Sequence, residues 1–454
     1  MTTRRLASTL CAATMFATFA ISMAGQSPTD LGKRNARSKY TLGRITGLRE
    51  LPDGRVVVAD SKEGVFRLID LGRGDVGLIG KQGDGPDEYR TAAGVLPLPG
   101  DSLMLYDGAG RKFLHLGPSG TIASVVPFPA TPNRSVRPTV SDATGAYYYT
   151  VLVIDTVAKS TRTSLHRFRP GATTDEELVP ITTRRADQVK LNGMVPFVFR
   201  DFWGVREDGL VARVVSDTYQ VIWSRDGKET GRTGPLPFQP IPITAAEQQT
   251  IRDSLAQMFK GGPGGPGQMI IGGPGGAGGG RGVSLGDGGG PVRTVVIGGG
   301  GGGGGAPVFF GGGAGAPVAA GGGPPASTGD GRGGRGPVTP MTAADSQRMK
   351  DAMAQMAKMA DVPAENFPAT KPAMPSGGTN IATFDANGML WVARERARGD
   401  ANPRYDIIAE GKGIVAQVKL PADTRLVGFG KGVVYLARTE DGSDWLERYP
   451  MPKY

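Results

Sequence analysis

The sequence predicts an all-β chain, a six-bladed β-propeller with a helical, glycine-rich disordered insertion between blades 4 and 5, and three observations predict it. One stretch is repeated: DGRVVVADSKEGVFRLIDLGRG is followed by GDSLMLYDGAGRKFLHLGPSGT, which puts Asp60 and Asp107 at matching points 47 residues apart, a blade-like spacing. Short β-rich runs then recur, separated by Asp-Gly, Asn-Gly and similar turn pairs. Finally, the last run lacks an outermost strand, while Tyr40–Ile45 stands before the first run with no unit of its own. Pairing the two joins the ends of a ring and removes exposed sheet edges.

The first unit spans Thr46–Gly80, with the β-branched runs Arg55–Ala59, Val65–Ile69 and Val76–Ile79 as strands. The second runs from Ala93 to Phe128 through Ser102–Tyr106, Lys112–Leu116 and Thr121–Val126. A less regular third unit is built on Ala146–Val153, Ser164–Phe168 and Glu177–Ile181; if Pro129–Val189 hides two units, the count becomes seven. The fourth holds Leu210–Val215, Tyr219–Ser224 and Lys228–Arg232, with Asp226-Gly227 as a hairpin turn. The fifth resumes at Asn380 with Met389–Arg394, Tyr405–Ala409 and Ile414–Leu420, and the sixth has Arg425–Phe429, Val433–Ala437 and Trp445–Tyr449. The propeller thus occupies 39–240 and 366–454.

Between these parts, Gly261–Pro340 carries about half of the 73 glycines together with many prolines. Such a tract buries too little apolar surface to offset its ordering entropy, so it is expected to be disordered. A helix is expected on each side. Over 244–260, Thr244 and Glu247 form a capping-box pattern and Ile251, Leu255, Met258 and Phe259 share a face. Over 342–360, Thr342 and Asp345 repeat the cap, and Met349, Met353, Met356 and Ala360 form one stripe, more a packing face than a docking surface.

Arg4 and Arg5 precede an apolar run from Leu6 to Ala20, and Ser22-Met23-Ala24 supplies small residues for cleavage, the pattern of a secretory signal over 1–24. Ser8, Thr9, Thr14 and Thr18 make that run too polar for a lasting membrane anchor. The mature chain is expected to be extracytoplasmic, periplasmic or secreted. The one cysteine, Cys11, lies in the signal, so the mature chain forms no disulfides and depends on packing and ring closure. The formal charge of +10 becomes +8 without Arg4 and Arg5, and its cations are scattered among anions, the mark of a solvated surface rather than a nucleic-acid site. Arg332 and Arg335 make an Arg-Gly-Gly-Arg-Gly motif without interleaved aromatics, so no nucleic-acid partner is expected.

The stretch from Leu78 to Ile122 resembles the bacterial secreted six-bladed β-propeller proteins, related broadly to the NHL and TolB-like propellers. In that family a passage G-x-G-x-G-P-G-E-F/Y joins two blades; here it reads Gly80, Gly83, Gly85, Pro86, Asp87, Glu88, Tyr89, with Asp87 in place of the usual glycine. FPATKPAMPSGGTNIATFDANGMLWVAR, ending at Arg394, is similar to the family's helix, Lys-Pro and Gly-x-Leu-Trp-Val strand. The resemblance covers Tyr40–Pro240 and Asn366–Tyr454 and implies an extracytoplasmic propeller without an agreed catalytic set.

Among candidate sites, the loop Gly80–Tyr89 is the most distinctive: Asp84, Asp87, Glu88 and Tyr89 are its candidate ligand-binding residues, against the plainer reading of a blade connector with Tyr89 packed inward. Asp385-Ala386-Asn387-Gly388 opens like a calcium loop but has Arg396 at the closing position and reads as a hairpin turn. His115 and His166 are the only histidines, too few for a His/Cys zinc or iron site. A Ser-His-Asp set is formally available, but no G-x-S-x-G elbow accompanies either histidine, and ordinary strand positions are the stronger reading. The function expected is a monomeric binding scaffold for a protein, peptide or glycan, without catalysis, metal or cofactor. The alternative is a hydrolase or lactonase resembling the gluconolactonase-type propellers, with calcium or another divalent cation in the channel. A third reading makes the glycine tract an adhesive element of the envelope.

Overall fold

A computed structural model describes residues 28–85, 88–128, 138–155, 160–184, 196–197, 199–259, 292–295, 362–376, 378 and 380–454. The signal segment, the expected helix over 342–360 with its methionine stripe, and Gly261–Pro340 apart from Val292–Val295 lie outside them. Val292–Val295 pairs antiparallel with Leu152–Asp155.

Six four-stranded antiparallel blades make up the ring. From the inner strand outward, blade 1 is Ile45–Glu50, Val56–Asp60, Val65–Asp70 and Asp75–Ile79. Blade 2 is Ala92–Leu98, Ser102–Asp107, Lys112–Leu116 and Ile122–Pro127, and blade 3 is Val140–Ser141, Tyr147–Asp155, Ser160–Phe168 and Glu176–Ile181. Blade 4 is Phe202–Val205, Val211–Val215, Gln220–Arg225 and Lys228–Arg232. Blade 5 is Ala382–Phe384, Leu390–Ala393, Arg404–Ala409 and Gly413–Lys419. Blade 6 is Thr424–Gly430, Val433–Glu440 and Ser443–Pro450, completed on its outer edge by Ala36–Arg37. The region Pro129–Val189 therefore contributes one blade.

The second strands read as continuous apolar runs because both of their faces are buried. In Ser102–Asp107, Leu103 and Leu105 face blade 1 with Val57 and Phe66, while Met104 and Tyr106 face blade 3 with Tyr147 and Phe168. In Val56–Asp60, Val57 and Ala59 face blade 2 while Val56 and Val58 face Tyr435 and Leu446 of blade 6. Each such Leu or Val contributes about 1.5–3 kcal/mol by leaving water, so the core is a set of apolar seams between blades.

Around the axis, the inner strands approach until only glycine fits. A Cβ on Gly47 of blade 1 would lie 3.0 Å from the Val95 amide nitrogen of blade 2, one on Gly204 of blade 4 would lie 3.1 Å from the Ala382 carbonyl of blade 5, and one on Gly428 of blade 6 would lie 2.9 Å from Leu48 of blade 1.

The ring is closed by a strap rather than by Tyr40–Ile45. Ala36–Arg37 pairs with Arg448 and Glu447, and upstream Thr29–Asp30 runs parallel to Val418–Lys419 as a fifth strand of blade 5. Ile45 belongs to the inner strand of blade 1, and Leu42 makes a single bridge to Asp444. Charge holds the strap: Glu447, fully buried, receives Arg34, Arg438 at 3.1 Å and the Tyr449 hydroxyl at 2.8 Å, and Arg37 lies over the Trp445 ring at 4.0 Å.

The first expected helix is Ala245–Phe259. Thr244 Oγ1 accepts from the Glu247 amide at 3.2 Å, but the Glu247 carboxylate turns to Lys371 Nζ at 2.7 Å, so half of the capping box forms. Ile251 packs with Ile243, Val362, Phe367 and Phe197 in a small cluster outside the blades, and Arg252 Nε donates to the Val362 carbonyl at 2.9 Å, which ties the departing chain to the returning one.

Candidate functional site

In each blade the outer-to-inner crossover and the loop between the second and third strands lie at one end of the ring. That end holds the Gly80–Tyr89 loop, the connection carrying Ala245–Phe259, and the starts of all inner strands. Two aspartates at the ends of second strands organise it. Asp60, fully buried, accepts from the amides of Gly43 at 2.7 Å, Arg44 at 2.9 Å and Glu63 at 3.3 Å. Asp107 repeats the arrangement with the amides of Arg90 at 2.9 Å, Thr91 at 3.0 Å, Ala109 at 3.2 Å and Gly110 at 2.9 Å. Each carboxylate thus ties the start of its own blade's inner strand to the turn beside it. The 47-residue repeat marks this bracing.

The Gly80–Tyr89 loop is built on the same base. Lys81–Gln82 pairs with Glu88–Tyr89, and the Gly83 amide donates to the Tyr89 carbonyl at 2.9 Å. Tyr89 is 1% exposed; its hydroxyl accepts from the Phe66 amide at 3.1 Å and its ring meets Phe66 edge-on at 4.9 Å, so it anchors the loop in the seam. Glu88 accepts from the Gly85 amide at 2.9 Å and pairs with Lys81 at 3.0 Å, which hold its carboxyl below the usual range. A Cβ on Gly83 would collide with that carboxylate at 1.9 Å, so the glycine makes room for it. Asp84 is exposed and paired with Arg90, whose guanidinium lowers its pKa. Gly83, Asp84, Arg90, Gly110 and Lys112 line a cleft of about 180 Å³, and Lys112 Nζ donates to the Gly85 carbonyl at 2.9 Å. Asp87 lies outside the described residues.

The calcium-like opening at Asp385 is a turn. Its carboxylate accepts from the amides of Asn387 at 2.8 Å and Met389 at 3.0 Å, from Trp391 Nε1 at 2.9 Å, and from the Tyr454 hydroxyl. Asp142 serves the same purpose in blade 3, taking the Thr144 amide at 2.9 Å and the Tyr148 hydroxyl at 2.7 Å. Among the described residues no three His, Cys, Asp or Glu side chains gather as metal ligands.

The histidines differ. His115 borders a cleft of about 290 Å³ with Leu98, Leu116 and Ser124. His166 stands in a Ser-His-Asp series: Ser164 Oγ is 3.0 Å from Nε2, and Nδ1 is 2.9 Å from Asp175 Oδ2, which also accepts from Tyr149 at 2.8 Å. Hydrogen bonding to His166 lowers the Asp175 pKa. Strand alternation brings Ser164 and His166 to one face, a relation the sequence holds at i and i+2. Ser164 is 1% exposed, inside the seam, so its oxygen has no approach for a carbonyl substrate and the series acts as a buried hydrogen-bond chain.

Sequence reasoning did not single out three arginines of this end. Arg44, Arg200 and Arg425 stand at the starts of the inner strands of blades 1, 4 and 6. Arg425 pairs with buried Asp444, and burial together with its neighbour Arg44 lowers its pKa against that carboxylate's pull. Burial also lowers the pKa of Arg200. Arg49, farther along the blade 1 strand, is depressed by burial and partly offset by Glu207 of blade 4, opposite across the ring.

No known protein family matches the chain, and no curated protein does. Solved structures with a similar trace include a luciferin-regenerating enzyme at 10% identity, covering 90% of this chain and 92% of that one with a TM-score of 0.36. A calcium-binding protein, regucalcin, from Agrobacterium tumefaciens matches at 10% identity, with coverages of 93% and 98% and a TM-score of 0.35. A catalytically inactive virginiamycin B lyase from Staphylococcus aureus with quinupristin matches at 9% identity, with coverages of 93% and 98% and a TM-score of 0.33.

Proposed function

We propose that the chain is an exported, monomeric propeller of the NHL and TolB-like kind that binds a protein, peptide or glycan at its loop-bearing end, without a catalytic centre or resident cation. One observation carries this reading: four carboxylates at that end are spent on bracing. Asp60 and Asp107 hold backbone amides, Glu88 holds its own loop, and Asp444 holds Arg425 and the Ile45 amide at 2.8 Å. A binding face needs such pre-organised loops, whereas general acid–base or metal chemistry needs carboxylates left free to act. Among the described residues no helix is long and apolar enough to cross a membrane.

The test is the divalent-metal content of the purified mature protein after equilibration with trace calcium and washing. The expected result is no retained ion. About one tightly held ion per chain overturns the reading and favours a lactonase-type enzyme.

A further inference from the structure

Blade 3 departs from blades 1 and 2 at its second strand. Tyr147–Asp155 runs for nine residues, against five in Val56–Asp60 and six in Ser102–Asp107. The inner strands of blades 1 and 2 pair with every residue of those two second strands, whereas Val140–Ser141 reaches only Tyr148 and Tyr147. Among the described residues, no strand of blade 3 itself covers the inner side of Leu152–Asp155. These are the last residues of the second strand, so this edge lies at the loop-bearing end and on the side of the inner strand, toward the ring axis. A sheet edge left uncovered by its own blade offers a row of N–H and C=O groups to an extended chain.

A segment of the insertion takes that place. Val292–Val295 pairs antiparallel and in register, Leu152 with Val295, Val153 with Thr294, Ile154 with Arg293 and Asp155 with Val292. The run Val292–Ile297 has five β-branched residues in six and stands between Gly288–Gly290 and Gly298–Gly305, a strand former set among glycines. Four ladder positions hold a strand only weakly. Carried on the same chain, however, the segment meets its edge at an effective concentration of about millimolar order, so it pairs in cis and still yields to a longer strand in trans. We infer that the inner edge at Leu152–Asp155 is an acceptor site for an extended, β-branched peptide of a protein partner, and that Val292–Val295 is its built-in competitor. This rests on the binding-module reading and selects the peptide among its ligand classes.

The probe is a dye-labelled synthetic peptide of residues 290–298, titrated with the full mature chain and followed by fluorescence anisotropy. The parent is compared with the double variant Thr294→Pro/Val295→Pro, in which one of the two lost N–H groups faces the acceptor edge because successive N–H groups of a strand point to opposite sides. Val308→Pro, in the same glycine-rich tract, is the control. The expected result is saturable binding, about tenfold tighter to the double variant than to the parent or Val308→Pro, the gain from freeing an edge filled in cis about nine-tenths of the time. Hydrogen exchange within Leu152–Asp155 is expected to speed up in the double variant and to slow again when the peptide is added. A peptide carrying the same two prolines is expected not to bind, and all three chains are expected to melt together because the substitutions lie outside the six blades. Equal affinity for the three chains, no saturable binding to the double variant, or unchanged exchange within Leu152–Asp155 overturns the inference. Such a failure leaves the binding-module reading standing, since metal retention tests that reading separately.

Discussion

Asp107→Ala is the sharpest test of how the loop-bearing end is held. The carboxylate accepts four backbone amides at 2.9–3.2 Å, two from the start of the blade 2 inner strand and two from the following turn. A hydrogen bond to a charged group contributes about 1.5–3 kcal/mol, and a donor that water can reach after truncation recovers part of that. The turn amides of Ala109 and Gly110 recover most of theirs, which leaves Arg90 and Thr91 at about 3–6 kcal/mol in total, a large share of a typical folding free energy of about 5–15 kcal/mol. Asp107→Asn is expected to lose about half as much, since its carbonyl oxygen still accepts while its amide meets N–H donors. Urea unfolding followed by tryptophan fluorescence measures the loss, and hydrogen exchange at the Arg90 and Thr91 amides localises it. A loss below about 1 kcal/mol for Asp107→Ala, or unchanged exchange at those two amides, would refute the bracing argument.

Two further predictions follow from buried polar groups. Burial works against the charge on Glu447, but hydrogen bonds from Tyr449, Arg438 and Arg34 prevail and its pKa lies below the usual value. Its contribution is therefore complete above the unfolded carboxylate range near about 4.3 and is lost as pH falls through the lower folded value. Glu447→Gln is expected to raise strap opening about 30-fold, equivalent to about 2 kcal/mol, read as faster tryptic cleavage at Lys33, Arg34, Arg37 or Lys39 at neutral pH. An unchanged cleavage rate would count against the strap's dependence on charge. For the Ser164, His166 and Asp175 series, a fluorophosphonate probe is expected to leave Ser164 unlabelled in the native protein; stoichiometric labelling abolished by His166→Ala would make the series a nucleophilic site.

The strands that pack between blades were legible because burial on both faces enforces continuous Val, Leu and Tyr runs, as in Val56–Asp60 and Ser102–Asp107. Most inner strands were not. Their middles carry Gly47, Gly94, Gly204 and Gly428, three of them (Gly47, Gly204 and Gly428) closely approached by a neighbouring strand, and a glycine-centred segment reads as a loop. The strap was misplaced for a related reason: Ala36–Arg37 has no β signature, and side-chain charges secure it rather than an apolar pattern. In the candidate loop, the glycines and Tyr89 announced a connector, but the partners of Asp84 and Glu88 depended on how the chain turns. The Asp-x-Asn-Gly of blade 5 imitates a calcium loop because a turn-capping aspartate and a cation-binding one begin with the same residues.

The strap also imposes an order of events on synthesis. Its partners, Glu447 and Arg448, lie more than 400 positions downstream and are made after the other five blades. At a typical elongation rate of about 5–20 residues per second, the strap waits about 20–80 s for its partner strand. At the end of that interval, between the completion of Lys419 and that of Glu447, five finished blades stand as an open arc. Quality control therefore has a window in which this chain is mostly folded yet still has an unsealed edge.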